Sequence, residues 1–259
     1  MIKITIITVC YNASKTISRT IQSVLNQSYS NIEYIIIDGN STDSSQTIIE
    51  QYKNYIAYYI SEPDNGIYDG MNKGIKQATG EYILFLNSDD TLYENSTIEK
   101  FVNNITAKHD IYYGNNQIIN EYGQYINKPR NIELLKRKWV LSHQATFIRT
   151  TLLKNNLFDI NYRYCADYKQ ISNLYLNGYS FEYIDLTIST TPISSGTTYS
   201  NYLASTKEHF QVIRERGENI TFLEYKTIIL RWTIRTIKQV IPDTILNPIL
   251  RKIAKYKVI

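Results

Sequence analysis

Four β-branched, strongly apolar runs punctuate the first third of the chain, and each is followed by polar residues. They occupy residues 4–9, 32–37, 55–60 and 82–86. Runs this short, rich in Ile and Tyr, read as strands buried on both faces. Between them the apolar period changes. Ile17, Ile21, Val24 and Leu25 share one helical face within 12–27, and Ile67, Met71, Ile75 and Ala78 share another, ended by Gly80. Ser41, Thr42 and Asp43 supply helix-start chemistry for residues 44–52. The alternation β-α-β-α-β-α-β predicts an α/β fold, a mainly parallel sheet covered by helices on both faces. In such sheets ligands bind beyond the carboxyl ends of the strands. Thr8, Asp38 and Asn87 fall at that edge.

The second half is less regular. Residues 111–113 and 117–119 read as short strands joined to a turn near Glu121 and Gly123, and residues 145–148 as another strand. A helix is expected over 167–177, ended by Gly178, then short strands at 181–184 and 187–190 and a polar loop at 194–198. From Tyr199 the chain reads as helical. The expected organisation is one catalytic domain, 1–198, with a nucleotide-binding half (1–95) and an acceptor half (96–198), followed by a basic amphipathic helical extension, 199–259.

Charge is unevenly distributed. From Lys207 onward eleven basic residues face five acidic ones, a local +6 out of a total of +4, so the preceding part carries −2. That acidic first part argues against a nucleic-acid-binding module, which needs a basic, aromatic-studded surface. Cys10 and Cys165 are too few for a disulfide framework and lack metal-type spacing. No signal-peptide pattern opens the sequence, and no apolar run approaches the roughly 20 residues that span a bilayer. The expectation is a cytoplasmic protein resting on the inner face of the cell's inner membrane.

Chemistry concentrates at Asn87-Ser88-Asp89-Asp90, directly after the fourth strand. Two adjacent carboxylates in an apolar setting repel each other. A divalent cation removes that cost, and Mg²⁺ or Mn²⁺ suits a carboxylate pair completed by phosphate oxygens and water. The same residues also serve as a turn capping a helix over 94–101. A dinucleotide-binding dehydrogenase would place an acid after strand two, but it needs glycines after strand one, and Cys10-Tyr11-Asn12-Ala13-Ser14 has none.

Taken together these pieces resemble family 2 glycosyltransferases of the GT-A fold. The resemblance runs in order through Thr8-Val9-Cys10-Tyr11-Asn12, Ile37-Asp38-Gly39-Asn40-Ser41-Thr42-Asp43, Glu62-Pro63-Asp64-Asn65-Gly66 with its continuation to Gly74, and Gly80 to Asp90. It is strongest over roughly the first 95 residues and weaker to Gly196. It implies that Thr8, Tyr11 and Asn12 line the nucleotide pocket, with Tyr11 against the base and Asp38 accepting from uracil. Asp64, Asn72 and Lys73 would flank the nucleotide and donor sugar, although Asp64 also suits a turn and Lys73 a solvated helix face. Asp89 would contact ribose or donor sugar, and Asp90 would bind Mn²⁺ or Mg²⁺.

Inverting transfer also needs a base for the acceptor hydroxyl. The resemblance points to Asp167 in Ala166-Asp167-Tyr168, a position that equally suits a helix cap; Asp159 and Asp185 are weaker candidates. His143, in His143-Gln144, is either a structural residue or a contact to acceptor or diphosphate. Ser195-Gly196 resembles a loop over the donor diphosphate. Arg231, Arg235 and Lys238 share a helical face beside Ile229, Trp232 and Ile237, which fits either a membrane interface or packing on the domain.

The resulting expectation is a metal-dependent inverting hexosyltransferase. It would move Gal or Glc from a UDP-sugar donor to a polyprenyl-diphosphate-linked acceptor, N-acetylglucosamine on undecaprenyl diphosphate. The β-linked product would serve O-antigen, lipopolysaccharide or other surface-polysaccharide synthesis. The competing expectation is a non-catalytic sugar-nucleotide or glycan-binding scaffold of the same pathway.

Overall fold

A computed structural model describes residues 1–120, 123–192, 201–226, 228–230 and 233. The chain divides into two compact units, Met1–Ser200 and Asn201–Ile259.

The first unit is built on one mixed sheet of nine strands among the described residues. Its parallel half has the order β3 (Tyr58–Ser61), β2 (Ile32–Asp38), β1 (Ile4–Cys10), β4 (Tyr82–Phe85). Every residue of β1 is buried, as a strand covered on both faces requires. Side chains alternate between the faces. Ile4, Ile6, Tyr34, Ile36 and Leu84 pack with Ile17, Ile21 and Val24 of α1 (Ile17–Leu25), Ile49 of α2 (Ser45–Glu50), and Ile98 and Phe101 of α4 (Thr97–Asn103). Ile7, Val9 and Ile37 point to the other face, against α3 (Ile67–Gln77). There Gly70 and Gly74 bring the helix backbone so close that an added Cβ would lie 2.7 Å from Val9 and 2.6 Å from Ile7.

α1 starts five residues later than the expected Asn12. Asn12 adopts a left-handed φ of 50°. The next amides are spent across the loop: Asn12 N donates to Ser41 Oγ at 2.8 Å, Ala13 N to Ser45 Oγ at 2.7 Å, and Ser14 N to Asp43 Oδ2 at 3.0 Å. These bonds lace the β1–α1 and β2–α2 loops together. β3 likewise starts late, because Lys53–Tyr55 forms a 3₁₀ turn.

The second half of the sheet adds β8 (Thr146–Arg149) antiparallel to β4, then β6 (Ile111–Asn120), β9 (Phe181–Pro192) and the short β5 (Thr91–Leu92); β7 (Gly123–Asn127) hairpins onto β6. The two expected strands around Gly114-Asn115-Asn116 are a single strand, as are the two around Asp185. The polar residues that suggested breaks are paired across the ladder instead. Asn115 Nδ2 donates to Asp185 Oδ1 at 2.8 Å, and Asn116 bonds Ser189 at 2.9 Å and Thr191 at 3.1 Å. A register shift between Tyr113 and Asn116 accommodates them. α5 (Thr150–Asn155) and α6 (Ala166–Leu176) complete the unit.

In the second unit, α7 (Tyr202–Glu215) ends at Gly217, whose φ is 77°. Thr221 and Glu224 then form a reciprocal helix-start bond pair. Tyr225 packs edge-on against Phe210 at 5.2 Å and accepts from Arg214 at 2.9 Å. Arg231, Trp232, Arg235, Ile237 and Lys238, and the loop at Ser195-Gly196, lie outside the described residues. No helix among the described residues is long and apolar enough to cross a membrane.

Candidate active site

The carboxyl ends of β1, β2 and β4 gather the polar residues of the first half at one edge. Asp38 ends β2 and is fully buried. Its Oδ1 accepts from Ser41 Oγ at 2.5 Å and Cys10 Sγ at 3.3 Å; its Oδ2 accepts from Ser41 N at 2.9 Å and Ser61 Oγ at 2.6 Å. Those four donors fill the acceptor sites of a carboxylate, so a uracil N–H reaching Asp38 would displace one of them. Tyr11, by contrast, stands 63% exposed at the same edge, a free aromatic face for a base. Thr8 is fully buried and bonded to Tyr34 Oη at 3.1 Å, and so braces the sheet beneath that edge. Asn12 Oδ1 accepts from Thr42 N at 2.8 Å and locks the loop.

Asp64 sits on glycine. A Cβ on Gly39 would lie 2.7 Å from Asp64 Oδ2, and one on Gly70 would lie 3.4 Å away. Its Oδ1 accepts from Gly66 N at 2.9 Å, and burial raises its carboxyl above the ordinary range. Lys73 braces this loop from behind, with Nζ 2.8 Å from Glu62 Oε1 and 2.8 Å from the Pro63 carbonyl. Asn72 departs from its expected place beside the donor. Its side chain is buried, donating to the Phe158 carbonyl at 2.9 Å and accepting from Phe158 N at 2.9 Å. It clamps two halves of the unit instead of facing the edge.

Asp90 is 1% exposed, and neither carboxylate oxygen accepts a hydrogen bond from the described residues. Its backbone is fixed, N–H to the Asn87 carbonyl at 3.0 Å and C=O from Thr20 Oγ1 at 2.7 Å. β5 pairs with β9 at Thr190 and Ser189 and so brings Thr191 near. Burial, reinforced by the charge of Asp89, pushes the Asp90 carboxyl up to about 7; Thr191, His143 and Gln144 moderate the rise without completing a bond. Asp89 is also raised by burial, and its carbonyl receives Arg19 at 3.1 Å. An unpaired buried carboxylate is costly, and a hard cation with oxygen ligands is the group that would satisfy it. The donor set fits Mn²⁺ or Mg²⁺ only if donor phosphates and water complete it. No group of three His, Cys, Asp or Glu side chains arranged to hold a metal occurs among the described residues.

A hydrogen-bonded chain leads away from this centre. Asn87 Nδ2 lies 3.1 Å from His143 Nε2, and His143 Nδ1 lies 3.2 Å from Asp167 Oδ2. Tyr68 Oη donates to Asp167 Oδ1 at 2.9 Å, and Tyr168 N donates to the same oxygen at 2.8 Å. With the Asn87 amide donating, the imidazole is neutral and carries its proton on Nδ1. Burial opposes charging His143, but Asp167, Asp90 and Asp89 outweigh it and hold its pKa above the ordinary value. An imidazolium would require the Asn87 amide to turn over, giving a partner to Oδ1, which is otherwise buried and unpaired. Asp167 therefore has one oxygen doubly occupied and one acceptor position left on Oδ2. The other two carboxylates considered are engaged elsewhere, Asp159 with Lys169 at 2.8 Å and Asp185 with Lys128 at 3.0 Å.

Sequence reasoning missed Tyr68, Asn87's link to His143, and Thr191. Tyr68 lies one residue into α3, and only the tertiary structure reveals its hydroxyl's partner.

The comparisons agree with this architecture. The profile of "Glycosyl transferase family 2" matches residues 5–169. Over 173 residues the chain is 31% identical to an uncharacterized glycosyltransferase of Mycobacterium tuberculosis, covering 63% of this chain and 65% of that protein. It is 29% identical over 164 residues to a PGL/p-HBAD biosynthesis glycosyltransferase of Mycobacterium bovis, covering 61% and 63%. The chain thus spans less than two thirds of the length of these curated relatives. Among solved structures, S. aureus TarS 1-349 in complex with UDP-GlcNAc superposes with a TM-score of 0.71 at 21% identity, over 91% of this chain and 72% of that one. The mannosyltransferase PcManGT from Pyrobaculum calidifontis, in complex with GDP-Man and Mn²⁺, gives 0.67 at 14% identity, over 99% and 81%. At these identities the structural matches establish the GT-A fold.

Proposed function

The chain belongs to glycosyltransferase family 2, and from that premise we propose that it transfers a hexosyl group from a UDP-sugar to a lipid-linked saccharide with inversion. One observation carries the reading. Asp90 holds a buried carboxylate without a bonded partner and donates its backbone N–H to Asn87, whose side chain leads through His143 to the positioned, partly open carboxylate of Asp167. Donor gripping and proton acceptance need two such centres close together.

In this reading Tyr11 stacks on the base, and Asp64 and Asp89 meet the ribose and donor sugar. Asp90 would hold Mn²⁺ or Mg²⁺, which when bound neutralises charge on the diphosphate. Asp167 Oδ2 uses its remaining acceptor position for the acceptor hydroxyl, while Tyr68 and Tyr168 fix Oδ1. Proton transfer by a positioned carboxylate contributes about 10²–10⁴-fold. The donor is UDP-galactose or UDP-glucose, and the product is β-linked to N-acetylglucosamine on undecaprenyl diphosphate, in O-antigen or related polysaccharide synthesis. Phe222, Leu223, Ile229 and Leu230 expose apolar side chains in the basic second unit, which supports a peripheral site on the inner face of the cell membrane.

The test is a UDP-sugar screen with a synthetic GlcNAc-diphosphate-lipid acceptor and metal, with the linkage read by NMR. Transfer abolished by Asp90→Ala and lowered about 10²–10⁴-fold by Asp167→Asn is the expected result. No transfer from any UDP-hexose, with glycan binding unaffected by both substitutions, would replace this reading with the non-catalytic scaffold.

A further inference from the structure

Residues 1–200 carry a net charge of −2, yet residues 128–138 alone hold five cations and one acid, a local +4. The rest of the unit is therefore −6. This basic segment is an ordered loop. Arg130 N closes it onto the Val140 carbonyl at 3.1 Å, fully buried Leu135 roots it, and Ile132–Lys136 forms a 3₁₀ turn capped by Asn131. Lys128, Arg130, Lys136 and Lys138 are exposed, Lys128 sharing its charge with Asp185 and Lys136 also engaged.

The loop borders the candidate base. Tyr168 Oη donates to the Lys136 carbonyl at 3.1 Å, and Trp139 packs edge-on against Tyr168 at 5.9 Å. Tyr168 directly follows Asp167. The loop also continues the β6–β7 hairpin, where every residue of β7 is exposed. Tyr125 and Ile126 on the hairpin and Leu134 on the loop present large apolar side chains to solvent. Cations alone would suit any polyanion. Cations interspersed with exposed aromatic and aliphatic side chains suit an anionic lipid interface, where the former meet headgroups and the latter enter the acyl boundary.

We propose that the 128–138 loop and the β6–β7 hairpin dock the catalytic unit onto an anionic bilayer surface beside Asp167. The purpose rests on the transferase reading, since an acceptor carried on a lipid diphosphate would arrive from that surface; the docking itself does not.

The full chain should sediment with vesicles of phosphatidylcholine and phosphatidylglycerol, in a salt-sensitive manner, and not with phosphatidylcholine alone. Each cation removed should cost about fivefold, so Arg130→Gln/Lys138→Gln should bind about 25-fold more weakly. Tyr125→Ser/Ile126→Ser should also bind more weakly, and both double variants should retain wild-type turnover of a soluble, lipid-free acceptor. The proposal is overturned if both sediment like wild type, or if Arg214→Gln/Arg216→Gln alone removes all binding. It is also overturned if the hairpin variant instead abolishes self-association through the β7 edge. Vesicle binding lost in the variants of a chain that transfers no sugar would sink the transferase reading and leave the docking surface standing.

Discussion

Tyr68 on α3 donates its hydroxyl to Asp167 Oδ1 at 2.9 Å, across 99 residues of sequence. Its ring is held between the two halves of the unit, packing on Phe158 at 5.4 Å. Tyr68→Phe keeps that packing and removes only the donor. Turnover should fall about tenfold, the order of one hydrogen bond to a charged group, with the donor KM unchanged. A KM rise with constant kcat would show that Tyr68 acts on donor binding instead.

Asp90 predicts a pH dependence of stability. Its carboxyl is raised from 3.8 to about 7, chiefly by burial. The folded state thus holds a proton that the unfolded state has already released. Stability contributed by this group is greatest below about 4, declines as pH rises through 7 and then levels off. The size is on the order of 4 kcal/mol. Thermal melts of the metal-free chain should show this decline, Asp90→Asn should flatten it, and Mn²⁺ at pH above 7 should stabilise wild type but not the variant. An identical slope in both proteins would remove Asp90 as its source.

Asn72 separates architecture from donor contact. Both ends of its amide serve the Phe158 backbone. Asn72→Ala leaves a buried N–H and C=O unpaired and should cost about 2–4 kcal/mol, seen as a lower melting temperature with donor KM unchanged in the cold. A large KM increase at constant melting temperature would return Asn72 to the donor site.

The parallel half of the sheet was legible because period and polarity agree there: β1 and β2 are short Ile-rich runs that stop at polar residues. The β6–β9 ladder was not. Asn115, Asn116, Asp185 and Ser189 are polar residues that satisfy one another across strands, and a single sequence shows them only as interruptions. The site divides in the same way. Asp90 and Asp167 stand out as carboxylates at element ends, whereas Asn72, inferred from its neighbours in a motif, turned out to bond the backbone of a segment far along the chain. Tyr68's role depends on a hydroxyl's direction, which no periodicity encodes.

The antiparallel pairing of β4 with β8 has a further implication. Leu84 is paired with Phe147, so the chain leaving β4 passes the chain entering β8, and Asn87 meets His143 where they cross. The link between the two carboxylate centres is therefore set by counting: Asn87 follows Leu84 by three positions, and His143 precedes Phe147 by four. Side chains along those tethers can be exchanged, but an inserted or deleted residue would carry one partner out of reach. Segment length, more than composition, is the quantity this stretch cannot vary.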